Sequence, residues 1–237
     1  MDDIVIVENL HKTYGKDIIA VDGISFAVKK GEIFGFLGPN GAGKSTTIKI
    51  LTTLLEKSSG TATIDGLDID ADQVKVRRII GYSSQEVGVD DDLTARENLM
   101  LQCSFHHIPK EKAKAKVNEL LQTVRLVEAA DRRLKTFSGG MRKRLDLASS
   151  LVSDPKILFL DEPTTGLDPQ SRQDVWDYIV KLNRGGMTIF LTTQYMEEAD
   201  RLANRLCVVD QGKIVAPIHS CRSAQPPVGS PAEARSC

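Results

Sequence analysis

Hydrophobic residues are distributed in one way near the N-terminus and in another way after about residue 32. Before that point, short apolar runs such as 4–7 and 24–28 are separated by turn residues, which predicts antiparallel strands joined by tight turns. After it, compact apolar runs, among them 33–37 and 157–160, alternate with longer segments typical of helices. This alternation predicts a largely parallel sheet with helices packed against it, and hence an α/β fold.

The segment from about residue 91 to residue 150 interrupts this alternation. Within it, 95–105 and 111–121 lack glycine and proline, so the segment is predicted to be a helical subdomain inserted into the α/β core. Residues 216–237 hold four of the nine prolines and two of the four cysteines but almost no large apolar side chains. The sequence therefore predicts one domain over 1–215 and a tail, 216–237, without regular structure.

Charge and cysteine content argue against several classes of function. The 31 Lys and Arg residues nearly balance 32 Asp and Glu residues, for a net charge of −1, so electrostatics give no reason to expect a nucleic-acid partner. The four cysteines have no metal-ligand or disulfide-framework spacing. The N-terminus carries acids where a secretion signal carries basic residues, and no apolar run is long enough to cross a bilayer. We therefore expect a cytoplasmic chain with reduced thiols that reaches a membrane only through a partner.

A phosphate-binding loop follows the first buried strand of the α/β region. Its residues fit the pattern of glycine, four further residues and Gly-Lys-Ser; they are Gly38, Pro39, Asn40, Gly41, Ala42, Gly43, Lys44 and Ser45, with Thr46 next in the following helix. Glycines let successive backbone N–H groups point at phosphate oxygens, and the helix N-terminus adds its positive end. Lys44 is predicted to reach the β- and γ-phosphates and Ser45 to bind Mg²⁺. The loop thus predicts a site for ATP and Mg²⁺.

A pair of carboxylates ends another predicted buried strand. Asp161 and Glu162 come directly after the apolar run 157–160, and ligands of open α/β sheets bind at the carboxyl ends of the strands. Both acids should therefore face the phosphate loop. Asp161 is predicted to hold Mg²⁺, through water. Glu162 is predicted to orient or deprotonate the attacking water, the role of a general base.

A glycine pair opens a further predicted helix between these two motifs. Ser138 is suited to be its N-cap, and Gly139 and Gly140 expose backbone N–H groups, so this helix start also suits an anion. With the P-loop before it and the acid pair after it, the arrangement resembles the ABC ATPase family over about residues 4–215. The resemblance implies a P-loop NTPase fold of the ABC ATPase type, with a mainly parallel sheet core, an N-terminal antiparallel β subdomain and an inserted helical subdomain.

The resemblance also implies roles for further residues. Tyr14 is similar in position to the aromatic residue on which adenine stacks, and Gln85 to the glutamine that contacts Mg²⁺ and water. The Ser-Gly-Gly trio resembles the signature motif, and Asp168 resembles the aspartate of the loop that links the two halves of a dimer. In that family the signature motif of one subunit caps the ATP bound by the other. The implied working unit is a homodimer or ABC heterodimer that drives a separate membrane-spanning permease.

Gln194 occupies the position at which the ABC ATPase family usually has a histidine that contacts the γ-phosphate. Glutamine can hydrogen-bond there but cannot carry a proton near neutral pH, which leaves slow or altered hydrolysis open. The surrounding Thr-Thr-Gln-Tyr run and residues 138–148 resemble the daunorubicin-type drug-exporter ATPases, whose members share the glutamine and hydrolyse ATP. That branch continues where this sequence departs from it, after Ala216, so we expect a truncation or an altered reading frame there.

Three functions remain to be compared. The first is an ATPase subunit, peripheral on the cytoplasmic face of the membrane, that powers export of a drug-like or lipid-like compound through a separate permease. The second is a non-transport ABC ATPase, which the single P-loop and the lack of sustained heptads disfavour. The third is a module that binds ATP without cleaving it; Glu162 argues against it and Gln194 keeps it open. We predict the first, because the order of all the motifs matches it, whereas the transported compound is not encoded in this chain.

Overall fold

The strands form two sheets, and the computed structural model that shows them describes residues 3–15 and 17–220. The strands are β1 (Asp3–Tyr14), β2 (Ile18–Lys29), β3 (Ile33–Leu37), β4 (Ser59–Ile64), β5 (Leu67–Asp68), β6 (Ile80–Ser83), β7 (Ile157–Asp161), β8 (Thr188–Thr193), β9 (Arg205–Asp210) and β10 (Lys213–Ser220). One sheet is antiparallel, with the order β2-β1-β4-β5. The other has the order β10-β9-β3-β8-β7-β6 and is parallel except for β10 at its edge. This confirms the predicted α/β fold with an antiparallel N-terminal part.

Seven α-helices accompany these strands in the described part of the chain, and capping side chains mark the start of some of them. The helices are α1 (Lys44–Leu51), α2 (Gln73–Ile79), α3 (Ala95–Phe105), α4 (Lys110–Thr123), α5 (Gly139–Ser149), α6 (Pro169–Arg184) and α7 (Met196–Leu202). Thr94 starts α3 in a capping box with Glu97, and Asp168 caps α6 ahead of Pro169. Of the helices within residues 3–15 and 17–220, none has the length and apolar character to cross a membrane. Helices α3 to α5 occupy the segment for which the sequence predicts a helical insertion.

The central strands are buried on both faces. Every residue of β3, β7 and β8 is buried, as expected for parallel strands covered on both sides. On one face, Phe26 of β2 packs against Phe34 and Phe36 of β3 and Phe190 of β8, with ring centroids 5.5 to 5.9 Å apart. On the other face, sheet residues such as Leu158, Leu160 and Leu191 pack in one hydrophobic cluster with residues of α5 and α6. The loops at the strand ends are therefore carried by a close-packed support.

The last described strand extends past the predicted domain boundary. Backbone pairing with β9 carries β10 to Ser220, five residues beyond the boundary predicted at residue 215. The expectation of no regular structure is thus wrong for 216–220. Backbone pairing at a sheet edge needs no large apolar side chain and accommodates a proline such as Pro217, so composition alone did not reveal the strand. Residues 221–237, the rest of the predicted tail, lie outside the described residues.

Candidate nucleotide-binding site

Four adjacent parallel strands bring the sequence motifs to one edge of the second sheet. In register, Leu37 of β3 lies opposite Thr193 of β8, Thr192 of β8 opposite Asp161 of β7, and Ser83 of β6 opposite Leu160 of β7. The loops that follow these strands therefore leave the sheet side by side. They carry the phosphate loop, Gln194, the carboxylate pair and Gln85.

The phosphate loop is pressed against two neighbouring strands, which explains two of its glycines. Gly43 has a φ of 97°, and a Cβ atom there would lie 2.3 Å from the carbonyl oxygen of Ala20 in β2. At Gly38 a Cβ atom would lie 2.2 Å from the carbonyl oxygen of Val209 in β9. Larger residues cannot occupy either position without moving backbone. The loop leads directly into α1, whose first N–H groups have no acceptor within the helix and are available to an anion.

Lys44 lies under this loop and reaches the second motif. Its Nζ donates hydrogen bonds of 2.9 Å to the carbonyl oxygens of Gly38 and Pro39 and lies 3.1 Å from Glu162 Oε1. The side chains of Lys44 and Glu162 are 3% and 6% exposed. The cation predicted to bind phosphate and the carboxylate predicted to act on water therefore meet in a buried ion pair.

The Asp161 carboxylate accepts hydrogen bonds from two hydroxyl groups on neighbouring elements. Its Oδ1 accepts hydrogen bonds from Ser45 Oγ at 3.1 Å and from Thr192 Oγ1 at 2.5 Å. The Asp161 residue is 2% exposed. Carboxylate and hydroxyl oxygens are hard ligands of the kind that Mg²⁺ uses in nucleotide sites. The Ser45 and Asp161 oxygens, already in contact, fit the predicted magnesium position.

Glu162 has an unusual backbone conformation that aims its side chain at Lys44. Its φ is 47°, in the left-handed region that residues other than glycine rarely adopt. The backbone N–H donates to the carbonyl oxygen of Thr192 at 3.1 Å, and Oε2 accepts a hydrogen bond of 3.1 Å from Thr165 Oγ1. Strain of this kind persists only where surrounding contacts enforce it, and such residues cluster in functional sites.

The Ser-Gly-Gly helix start and the Asp168 loop lie next to each other. Ser138 caps α5 by accepting a hydrogen bond from the Met141 N–H at 3.3 Å. Asp168 caps α6 by accepting from the Ser171 N–H at 2.9 Å, and the hydrogen bonds from Ser171 lower the pKa of the Asp168 carboxyl group. A Cβ atom at Gly140 would lie 2.3 Å from Ser171 Oγ, so glycine allows the two helix starts to touch. Ser138, its neighbour Gly139 and Asp168 are exposed.

Three further predicted residues, Gln85, Gln194 and Tyr14, make no hydrogen bond to this centre within the described part of the chain. Gln85 is exposed in the loop after β6, and Gln194 is half-buried directly after β8. Neither glutamine side chain makes a hydrogen bond with another residue of the described part of the chain. Tyr14 is 40% exposed at the end of β1, in the antiparallel sheet, with the Lys12 ammonium 5.3 Å from its ring centroid. The strand order places the glutamines at the same sheet edge as Asp161.

Two threonines belong to the site although the sequence motifs do not single them out. Thr192 binds the Asp161 carboxylate and the Glu162 backbone, and Thr165 binds the Glu162 carboxylate. The signal for Thr165 was its position three residues after Glu162, within side-chain reach of it. No comparable signal exists for Thr192, because its contact depends on the pairing of β7 with β8.

Comparison with known proteins assigns the family. A family model for the ABC transporter family matches residues 21–165, a range that contains the phosphate loop, the Ser-Gly-Gly helix start and the carboxylate pair. The doxorubicin resistance ATP-binding protein DrrA of Mycobacterium tuberculosis is 47% identical over 216 residues, which cover 91% of this chain and 65% of that protein. The chain thus spans just under two thirds of the length of this curated relative.

Solved structures extend the match to the fold. A dimeric ATP-binding cassette in a post-hydrolysis state, bound to ADP and Pi, has a TM-score of 0.82 at 27% identity and covers 93% of this chain and 100% of its own. CbiO1 of Clostridium perfringens, part of the ABC transporter complex CbiONQ, has a TM-score of 0.86 at 27% identity over 93% of this chain and 90% of its own. On the family match, the relative and the geometry of the phosphate loop, this chain belongs to the ABC transporter family, as an ATP-binding cassette.

Proposed function

We propose that this chain binds Mg·ATP at the phosphate loop and hydrolyses it, as the ATPase subunit of an exporter with a separate membrane permease. The observation that carries the proposal is the meeting of two motifs at one sheet edge. Lys44 Nζ lies 3.1 Å from Glu162 Oε1, and Ser45 Oγ lies 3.1 Å from Asp161 Oδ1. A cation for phosphate, two oxygen ligands for a metal and a carboxylate for water are thus held together.

Binding of ATP rests on the loop and on the start of α1. Backbone N–H groups of the loop and the first turn of α1 surround the phosphates, and Lys44 supplies the cation to the β- and γ-phosphates. Ser45, Asp161 and, from the neighbouring loop, Gln85 hold Mg²⁺, which when bound neutralises charge on the phosphate oxygens. Tyr14 contributes the aromatic surface for adenine. Its side chain is 40% exposed, so adenine can stack on the ring.

Hydrolysis rests on Glu162. Its carboxylate is fixed by Thr165 Oγ1 on one oxygen and by Lys44 on the other. Phosphate oxygens compete for the Lys44 ammonium, and this competition frees Glu162 Oε1 to orient water and to accept its proton. Gln194, half-buried after β8, supplies a neutral hydrogen-bonding group next to the same sheet edge.

The working unit is a homodimer or an ABC heterodimer. Ser138 and Gly139 form a helix start that suits an anion, and both are exposed in this chain, as is Asp168 at the adjacent start of α6. A second cassette would place its phosphates against this surface, and the relative solved as a dimer with ADP and Pi supports that arrangement. Each signature motif then completes the ATP site of the other subunit.

The permease is the partner through which the chain acts on a membrane. CbiO1, similar in fold, is part of a complete ABC transporter complex. DrrA is a doxorubicin resistance ATP-binding protein, which supports a drug-like or lipid-like exported compound. We place the chain on the cytoplasmic face of the membrane, held there by the permease.

The test is steady-state phosphate release by the purified chain beside Glu162→Gln and Lys44→Ala, with Mg·ATP binding measured in parallel. We expect release by the wild type, binding without release by Glu162→Gln, and loss of both in Lys44→Ala. If the wild type binds Mg·ATP but releases no more phosphate than Glu162→Gln, the chain alone is an ATP-binding module. That result would contradict the proposal for the chain by itself.

A further inference from the structure

A buried carboxylate on α5 holds the segment that follows β6. Asp146 Oδ2 accepts a hydrogen bond of 2.5 Å from Ser83 Oγ, at the end of β6, and Oδ1 accepts one of 3.1 Å from the Gly88 N–H. Asp146 and Ser83 are 7% and 1% exposed. One side chain of α5 therefore binds both ends of the loop 84–87.

Lys143, on the preceding turn of α5, holds the same loop from within. Its Nζ donates a 2.6 Å hydrogen bond to the Ser84 carbonyl oxygen and lies 3.5 Å from Asp146 Oδ2. Its side chain is 4% exposed, and burial lowers the pKa of the ammonium group. Burying a lysine and an aspartate contributes little net stability compared with apolar side chains, whereas both side chains bond directly to the backbone of this loop segment. The pair therefore defines where this loop sits on α5.

The loop that these two residues hold carries Gln85. The side chain of Gln85 is exposed and makes no hydrogen bond within the described residues, so its position depends on the anchored backbone around it. The anchor at Ser83 pairs with Leu160, the residue before Asp161. Both Asp146 and Asp161 act on Tyr82: burial and then these two charges raise the pKa of its hydroxyl to about 12. The anchors and the predicted magnesium position are thus neighbours.

The other end of α5 is the Ser-Gly-Gly helix start. Ser138 caps the helix, and Lys143 and Asp146 follow it on the same rigid element. At 1.5 Å per residue, they lie about 7 to 12 Å from Ser138 along the helix axis. A displacement of the signature end would therefore move the anchors of the Gln85 loop with it.

We propose that Lys143 and Asp146 are positioning residues that couple the signature end of α5 to Gln85. This inference rests on the proposed function, since it assumes that Ser138 to Gly140 contact a nucleotide of a second subunit and that Gln85 contacts Mg²⁺. When the nucleotide of a second subunit contacts the signature end, α5 moves with it and sets the distance between Gln85 and Asp161. Neither Lys143 nor Asp146 touches the nucleotide.

The first experiment measures hydrogen exchange of the backbone amides in residues 84–88 in the full chain. Asp146→Ala removes the hydrogen bonds to Ser83 and Gly88. Lys143→Met removes the hydrogen bond to the Ser84 carbonyl oxygen while preserving side-chain length. We expect faster exchange in both variants, including at Gly88 for Asp146→Ala, with Mg·ATP binding unchanged. Ser149→Ala is the matched control on α5, because among the described residues its hydroxyl bonds to the Leu145 carbonyl oxygen of the same helix and to no other group. Unchanged exchange in Asp146→Ala and Lys143→Met would overturn the proposal.

The second experiment is a double-mutant cycle on phosphate release with Gln85→Ala. A misplaced catalytic group can reduce the rate by on the order of 10- to 100-fold, and we expect Asp146→Ala to reduce kcat within that range with little change in the KM for ATP. If Asp146 acts through Gln85, the double variant is no slower than Gln85→Ala alone. If the reduction of kcat in the double variant equals the product of the reductions in the two single variants, the two residues act independently and the proposed coupling is wrong. If the wild type itself releases no phosphate, the proposed function fails, and the exchange experiment alone decides whether the anchors hold the loop.

Discussion

Lys44 and Glu162 form a buried ion pair, with 3.1 Å between Nζ and Oε1, that joins the phosphate loop to the end of β7. Their side chains are 3% and 6% exposed, so bulk water screens neither charge. Removing one partner of such a pair leaves the other as an unpaired buried charge, whereas removing both can cost little. The residue assigned to phosphate binding and the residue assigned to hydrolysis therefore depend on each other for stability.

Lys44→Met is expected to lower the free energy of unfolding by about 3 kcal/mol, because it leaves the buried Glu162 carboxylate without its cationic partner. Adding Glu162→Gln removes that charge and should restore most of the loss, while Mg·ATP binding stays absent. Urea unfolding of the two single variants and the double variant at neutral pH measures this. Lys57→Met is the control, since its partner Asp70 is half-exposed. Purely additive losses would show that the pair is not energetically linked.

Thr192→Val tests the support of the magnesium position. The substitution preserves side-chain shape but removes the hydroxyl that donates to Asp161 Oδ1 at 2.5 Å and accepts from the Glu162 N–H. Groups that orient a metal ligand typically change metal affinity by about 10- to 100-fold when they are removed. We therefore expect the Mg²⁺ concentration that gives half-maximal phosphate release to rise by roughly tenfold.

The matched control for Thr192→Val is Thr188→Val at the opposite end of β8. Thr188 Oγ1 accepts a hydrogen bond of 2.9 Å from the Gly31 N–H, so its loss also costs a partly buried hydrogen bond. It should lower stability without changing the Mg²⁺ requirement. If the Mg²⁺ concentration for half-maximal phosphate release rises equally in both variants, the effect comes from a general change in β8 and not from the contact of Thr192 with Asp161.

The sequence predicted those parts of the site that are local in the chain. The phosphate loop and the carboxylate pair each follow a short apolar run, and the strand order brings both to one edge as expected. Alternation of strands and helices was sufficient to predict the parallel sheet, and the lack of glycine and proline in 95–105 predicted the helix found there. These features depend on neighbours within a few residues, which a sequence displays directly.

Contacts that depend on strand register or helix packing were not predictable in this way. Thr192 meets Asp161 only because β7 and β8 pair in one particular register. Lys143 and Asp146 resemble ordinary polar positions of a helix until their burial against the loop after β6 is known. The extension of β10 to Ser220 was missed because a backbone-paired edge strand does not require apolar side chains.

Glu198 is predicted to make stability depend on pH. The residue is 1% exposed, and its Oε1 accepts hydrogen bonds from Thr164 Oγ1 at 2.7 Å and Trp176 Nε1 at 2.9 Å. Burial raises the pKa of its carboxyl group above the ordinary value of 4.5, against the opposing effect of these bonds and of the Arg172 charge. Because the folded state holds the proton more tightly, this contribution to stability is complete below the unfolded pKa and is lost as pH rises through the folded pKa.

Glu198→Gln should remove that loss, because the amide stays neutral at every pH. We expect the free energy of unfolding of the wild type, relative to Glu198→Gln, to fall as pH rises above 4.5 and to level off above the folded pKa. Urea unfolding at several pH values measures the difference. Glu197→Gln, at an exposed adjacent position, is the control for removing one carboxylate. A difference that rises with pH would reverse the assigned sign.

Gly140→Ala tests the contact between the starts of α5 and α6. The added Cβ would lie 2.3 Å from Ser171 Oγ and 2.5 Å from Ser171 Cβ, so the two helix starts must separate. Overpacking of this kind costs about 1 to 3 kcal/mol, more than the gain of up to about 1 kcal/mol in helix propensity from glycine to alanine. We therefore expect lower stability and slower phosphate release, with Mg·ATP binding by the single chain retained.

Ser171→Gly should rescue Gly140→Ala, because it removes both atoms that the new methyl group would strike and leaves Ser171 Cα, at 3.4 Å, as the nearest atom. Gly139→Ala is the matched control for stability, since a Cβ there would make an ordinary contact of 3.5 Å with Leu167. Chemical unfolding and phosphate release of the three variants and of the Gly140→Ala, Ser171→Gly pair give the comparison. If the pair is as impaired as Gly140→Ala alone, the defect arises from the signature surface itself, and the close approach of α5 to α6 does not set the rate.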